Sequence, residues 1–330
     1  MNFIERAAAR LTRKSDDSTI VERAMRANVQ AAPKRPSKPR TRAEADRVQS
    51  LPKVVRLHGE DPPPRPSGAA LRGTGAAVLE QPPVPRSPRR APSPIEIDLA
   101  DLRARGFVTP DESHTPVAQA FRVIKRPLIA NAIGRGATTI ANGRRVMVTS
   151  SLPDEGKSFC AINLAMSIAA ERDHQVLLVD ADVARPSLPR ELKVRTGAGL
   201  MDWLVDNDID VDELVVPTNI DKLSMLPAGR HHIHSTELIA SGAMNRVLDR
   251  LSARFPDHII VFDSPPLLNT TESRVLASYM GQIVMVVEAS RTPREAVDEA
   301  LETLPDDAVV GLVLNKSRDS RGSKYYYGYR

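Results

Sequence analysis

The chain has 330 residues, 46 Lys+Arg against 41 Asp+Glu, 41% apolar residues and one cysteine, Cys160. That length holds one large domain or two smaller ones. No apolar run approaches the roughly 18 residues of a membrane span, no secretory signal opens the chain, and a single cysteine excludes an internal disulfide and suits a reducing cytoplasm.

Charge and proline are uneven. Residues 1–95 carry 19 Lys+Arg against 9 Asp+Glu, and 14 of the 27 prolines lie between Pro33 and Pro94. The basic excess therefore belongs to the N-terminal segment. Within residues 1–30, Phe3, Ala7 and Ala8, then Ile20, Val21, Ala24 and Met25, have helical spacing. They read either as a short docking helix or, more plainly, as marginal helix in a basic tail. Residues 31–114 are Pro- and Arg-rich over most of their length and read as a disordered linker, because too little apolar surface is present to offset ordering entropy. Such a basic leader could meet an anionic membrane surface or a protein partner. It lacks the interleaved aromatics of a nucleic-acid platform, so no nucleic acid is expected.

Ordered structure is expected from Thr115. Val117, Ala120, Phe121, Ile124 and Leu128 predict a helix to about Ala132. Short apolar strands then alternate with helices. The strands are 145–150, 175–180, 222–228, 258–263, 282–289 and 308–315. The helices are 157–171, 199–206, a long one from Thr236 to Phe255, 271–280 and 293–304. This alternation predicts an α/β fold with a mostly parallel central sheet covered by helices on both faces. Trp203 is expected in the core and Cys160 as a small packing residue. The histidines of "GRHHIH" lack the further ligands of a zinc site.

The first strand runs into "SSLPDEGKSF" and then a helix, the context of a P-loop. Gly156, Lys157 and Ser158 form the Gly-Lys-Ser core, while Ser151 stands where the general pattern opens with glycine. Backbone N–H groups from Ser151 to Phe159 would cradle phosphates. Lys157 would reach the β- and γ-phosphates and Ser158 would ligate Mg²⁺. Asp154 and Glu155 are expected to turn their side chains outward, away from a polyanion. Two more strands end in acid: "VLLVDADVARP" with Asp180 and Asp182, and "IIVFDSPP" with Asp263. Ligands of open α/β sheets bind at such strand ends. Ser158 with a strand-end aspartate, direct or through water, suits Mg²⁺. Asp263 fits the Walker B position, and Asp180 or Asp182 could take a proton from an incoming hydroxyl.

Four of the five tyrosines, Tyr325, Tyr326, Tyr327 and Tyr329, cluster in "YYYGYR" behind a polar run. Together with "TSSLPDEGKSFCAINLA", "VLLVDADVARPSL", "LPAG…STELIAS", "IIVFDSPPLL" and "GLVLNK", this resembles the bacterial tyrosine kinases of exopolysaccharide synthesis, most of all the exosortase-associated autokinases. The resemblance covers about 115–330. It implies a P-loop NTPase-type kinase domain over 115–316 and a flexible tyrosine tail over 317–330. It implies Mg-ATP at Gly156–Ser158, with Asp180 and Asp263 around the metal and Asp182 as partner of the tyrosine hydroxyl. The tail of one subunit would be phosphorylated by its neighbour in a ring, and Asn315 lies where related nucleotide-binding folds meet the base. It further implies a membrane-spanning chain-length co-polymerase as activator, a counteracting phosphotyrosine phosphatase, and a cytoplasmic chain held at the inner membrane face by that partner. Asp154 stands where the family's loop has glycine. Gln119, Arg122 and Lys125 stand in its ring-forming ExxRxxR pattern.

Two other readings share parts of this pattern: a partition-type P-loop ATPase that makes no phosphotyrosine, and a weakly catalytic regulatory scaffold. "SSLPDE" lacks the second lysine that partition ATPases often carry near the loop start.

Overall fold

A computed structural model describes residues 92–112, 114–136 and 138–317. The expectations for residues 1–91 and for the tyrosine cluster lie outside these residues. Six of the strands form one parallel sheet; β1, β2 and β5 are buried on both faces, while the edge strand β7 is only partly covered. They are β1 (Arg145–Ser150), β2 (Gln175–Asp180), β4 (Leu223–Leu226), β5 (His258–Asp263), β6 (Gln282–Glu288) and β7 (Val309–Asn315), with a short β3 (Val216–Pro217) pairing antiparallel to β4. The order is β3-β4-β2-β5-β1-β6-β7. Alternate residues feed opposite cores. Val146, Val148, Leu178 and Val261 face one side, while Met147, Leu177, Val179 and Phe262 face the other.

The first core is closed by α1 (Leu99–Ala104), α2 (Pro116–Ala132), α3 (Lys157–Ala169) and α4 (Leu188–Leu192). The second is closed by α5 (Leu200–Val205), α6 (Val211–Leu214), α7 (Ser235–Ile239), α8 (Gly242–Arg254), α9 (Thr271–Ala277) and α10 (Arg294–Glu302). Trp203 is fully buried there.

Two expectations change. The long helix from Thr236 to Phe255 is two helices, because Ser241 caps α8 by accepting a hydrogen bond from the Ala243 N–H. The chain also takes up structure well before Thr115. Ile95 bridges to Thr218 at the sheet edge. Asp98 caps α1 by accepting from the N–H groups of Ala100 and Asp101. Gly106, at φ 81°, ends α1 in a Schellman turn: its N–H reaches the Arg103 carbonyl and the Phe107 N–H reaches that of Leu102. Leu102, Phe107 and Val108 are buried. Residues 95–108 therefore form an arm across the sheet edge and α3.

Candidate functional site

The β1–α3 loop and the C-terminal ends of β2, β5 and β7 meet in a cleft of about 800 Å³. Gly156 enters α3 at φ 93°, a left-handed conformation that glycine accepts without strain. A Cβ there would also lie 2.2 Å from the Asn315 amide nitrogen, so two constraints demand glycine. Asp154 is left-handed as well, at φ 64°. Aspartate tolerates that region better than most residues, and the residue is exposed at the rim of the cleft.

Glu155 does the opposite of what was expected. It is buried. Its carboxylate accepts from the N–H of Leu152 at 2.6 Å, the N–H of Glu288 at 3.2 Å and the Thr292 hydroxyl. The reason is the loop's own need: a carboxylate satisfies several donors at once, and it shares the Glu288 N–H with the Thr292 hydroxyl oxygen at 3.1 Å. The neighbouring strand end completes a clamp. The Asn315 amide donates to the Glu155 carbonyl at 2.8 Å. Lys316 Nζ donates to the Asp154 carbonyl at 2.6 Å and pairs with Glu288 at 3.1 Å. The side-chain contact of Asn315 is thus with the loop backbone.

Lys157, little exposed, pairs with the Asp182 carboxylate at 3.1 Å. Ser158 donates to the Ser187 hydroxyl, 2.6 Å away, and Ser187 donates to Asp263 Oδ2 at 2.8 Å. Asp180 and Asp263 are opposite each other in the β2–β5 register and both are fully buried. Burial pushes the Asp263 carboxyl up to about 6, against the pull of Lys157, Ser158 and Ser187. Asp180 is pushed well above the carboxylate range by burial and by the neighbouring Asp263 charge. One oxygen of each, Oδ1, is buried without a hydrogen-bond partner. Such an orphan acceptor is costly unless a cation or water meets it. Ser158 with these carboxylates therefore fits a hard divalent ion that keeps its waters. Among the described residues no three His, Cys, Asp or Glu side chains converge to hold a metal by themselves, so phosphate oxygens and water would have to complete the set.

The interface residues separate. On α2, Gln119 and Arg122 are exposed, but Lys125 is buried. Its ammonium reaches the Ser167 carbonyl in the last turn of α3 and pairs with Glu171 at 2.7 Å. A cation there meets the negative end of the helix, so Lys125 contributes to the packing of its own fold. Cys160 is buried and its thiol is pushed up to about 12 by burial, which leaves it inert.

No family model matches the sequence. Tyrosine-protein kinase YwqD of Bacillus subtilis is 29% identical over 188 residues, 56% of this chain and 78% of that protein. Succinoglycan biosynthesis transport protein ExoP of Rhizobium meliloti is 33% identical over 238 residues, 69% of this chain but 28% of that protein. The chain thus spans most of the shorter relative and little more than a quarter of the longer. Among solved structures, the kinase domain of Escherichia coli tyrosine kinase ETK superposes with a TM-score of 0.51 at 18% identity, covering 72% of this chain and 95% of that domain, a likeness of fold. The chain is thus similar to bacterial proteins named as tyrosine-protein kinases over a little more than half of its length. Sequence reasoning assigned no role to Ser187, Glu288, Thr292 or Lys316, although Ser187 and Lys316 lie within the stretches that carry the resemblance. Their roles come from contacts that only the fold creates. Sequence reasoning also passed over the arm, although Asp98 and Gly106 bracket a helix-sized segment.

Proposed function

We propose that the chain is an ATP-dependent protein-tyrosine kinase that phosphorylates the Tyr325, Tyr326, Tyr327 and Tyr329 cluster of a second copy. The observation that carries this reading is the Lys157–Asp182 pair beside the orphaned Asp180 and Asp263 oxygens, in a cleft whose wall includes Lys316, the root of the tail. Phosphate oxygens compete for Lys157. When Lys157 turns to them, Asp182 loses its cation and becomes free to accept a proton. A tyrosine oxygen then attacks the γ-phosphorus, the bond to the bridging oxygen breaks, ADP leaves, and the phenol proton goes to Asp182. Mg²⁺, held near Ser158, Asp263 and Asp180, would neutralise charge on the phosphate oxygens when bound. From Lys316, nine residues to Tyr325 reach about 30 Å when extended, enough to enter a neighbour's cleft.

Exopolysaccharide production is the process this kinase would regulate, with a membrane-spanning co-polymerase as activator and a phosphatase as its counterpart. Among the described residues no helix is long and apolar enough to cross a membrane, which is compatible with membrane attachment through that partner. A ring of copies would draw on the exposed Gln119 and Arg122. The test is incubation with Mg-ATP and mapping of phosphotyrosine by mass spectrometry, beside Lys157→Met and a tail with its four tyrosines changed to Phe. Phosphate should appear on the tail of the parent alone. ATP hydrolysis with an unmodified tail, even with the co-polymerase's cytoplasmic segment present, would overturn the reading.

A further inference from the structure

The cleft has two flanks around Lys157 and Ser158. The β7 flank carries Asp154 and Lys316. The β2 flank carries Asp182, Arg185 and Arg190, and its outer wall comes from the arm, through Arg105 and Phe107. No part of the phosphate-loop motif assigns that wall a role.

The wall is built and held. The Phe107 and Phe159 rings lie 4.8 Å apart at 50°, and the Arg105 guanidinium sits 4.9 Å from the Phe107 ring centre. Arg105 is fixed by Asp101 at 2.9 Å, by the Glu191 carboxylate at 3.4 Å and by the Glu191 carbonyl. The arm is latched to α3 by Asn163, fully buried. Its amide oxygen accepts from the Val108 N–H at 2.6 Å, and its nitrogen donates to the Phe159 carbonyl at 2.8 Å. Phe159 follows Ser158 directly, so the latch ties the arm to the first turn of the phosphate-binding helix.

We infer that Phe107 and Phe159, with Arg105 behind them, form the subsite that receives the ring of the acceptor tyrosine. This rests on the kinase reading. Three observations favour that occupant. The wall stands on the flank that carries Asp182, the group placed to take the phenol proton. It offers aromatic surface already fixed in place, the partly exposed Phe159 ring backed by the buried Phe107, and tilted aromatic contacts favour a planar ring. The cation over Phe107 adds to the attraction for a phenol. The nucleoside then extends along the opposite flank, beside Lys316.

The test uses the full chain with its own four tail tyrosines changed to Phe, and a free peptide of the sequence Ser317–Arg330 as acceptor. Phe107→Leu and Phe159→Leu keep apolar volume and remove the ring. Each should raise the peptide KM about three- to tenfold, with kcat moved less than about twofold, and Phe107→Tyr should restore the parent value. In Phe107→Leu, binding of a fluorescent ATP analogue with Mg²⁺ should not move. Equilibrium binding of the peptide, read by anisotropy, should weaken in parallel. Weaker analogue binding with unchanged peptide KM would assign the wall to the nucleobase and overturn the proposal, as would no change in either. If the parent binds the peptide in a Phe107-dependent way but transfers no phosphate, the kinase reading fails and the subsite stands. Melting curves separate a misfolded Phe107→Leu from a true effect, and Phe159→Leu then carries the decision.

Discussion

The two flanks of the phosphate loop differ in what they leave undone. On the β7 flank the clamp satisfies its polar groups: the Glu155 carboxylate has three donors, and Asn315 and Lys316 hold the loop carbonyls. On the β2–β5 flank two carboxylates are buried side by side, each with an orphan oxygen and each held above its ordinary range. One flank fixes the loop's shape before any ligand arrives. The other holds an electrostatic demand that a cation or water would meet. The comparison teaches that stability and function are separated across a few ångströms, and it can be broken from either side.

The largest effect is expected at Asp263. Asp263→Asn should reduce phosphotransfer by roughly a hundredfold or more, because a charge aimed at the metal and phosphates is lost. The same change should stabilise the ligand-free protein above pH 6. The folded carboxyl, at about 6 against an ordinary 3.8, holds a proton that the unfolded chain releases between those values. Stability from this group is therefore greatest below pH 4 and declines as pH rises to 6. Asparagine removes that decline, worth up to about 3 kcal/mol. Melting temperatures at pH 8 and pH 4.5 check it: the variant should gain at the first and little at the second. A variant no more stable than the parent at pH 8 would mean the carboxylate flank is already satisfied.

A related effect concerns pH and ligand together. Mg-nucleotide needs the charged form of Asp263, so its affinity should fall as pH drops below about 6, by up to tenfold per unit. Titrations of a fluorescent ADP analogue with Mg²⁺ from pH 8 to pH 5 read this directly. Asp263→Asn should flatten the profile.

How far the two flanks were legible in the sequence follows from the physics of each. Strands buried on both faces read as apolar runs, and strand-end aspartates follow from topology, so Asp180, Asp182 and Asp263 were visible. The Gly-Lys-Ser core was visible because phosphate binding fixes residue type and spacing. The clamp was not. Lys316 and Thr292 acquire their roles only when β7 and the β6–α10 turn arrive beside the loop from more than 130 residues away. Glu155 was misread because charge repulsion from a phosphate was weighed, and the loop's unsatisfied N–H groups were not. Lys125 was read from its motif place as a surface position, whereas it is buried and its ammonium finds the end of α3. The break at Ser241 hid inside an unbroken apolar period, since capping depends on one hydroxyl.

The β7 flank can be broken at Lys316. Asp154 occupies a left-handed position without glycine's freedom, and Lys316 holds its carbonyl there while Glu288 holds Lys316. Lys316→Ala should weaken Mg-ATP binding by about fivefold, the loss of one charge-assisted hydrogen bond at a partly exposed site. Asp154→Gly should make the loop indifferent to Lys316, so the double variant should bind within about twofold of Asp154→Gly alone. A double-mutant cycle on nucleotide affinity measures the coupling. Additive losses would show that Lys316 acts on the nucleotide and not through the loop.

The smallest effect tests how local the clamp is. Lys125 caps the far end of α3, the helix that carries the loop at its near end. Lys125→Met keeps the buried stem and removes the charge. With Glu171 partly exposed, the loss should be about 1 kcal/mol of stability, read as a lower melting temperature. Nucleotide affinity should not change, because α3 is anchored independently at its loop end through Glu155 and Asn315. Assembly state, followed by light scattering, should not change either, since the Lys125 ammonium is spent within its own chain, whereas Arg122→Glu on the exposed face of α2 should shift it. A Lys125→Met variant that lost nucleotide affinity would mean strain travels the length of α3, and the fixed flank would then extend well beyond the loop.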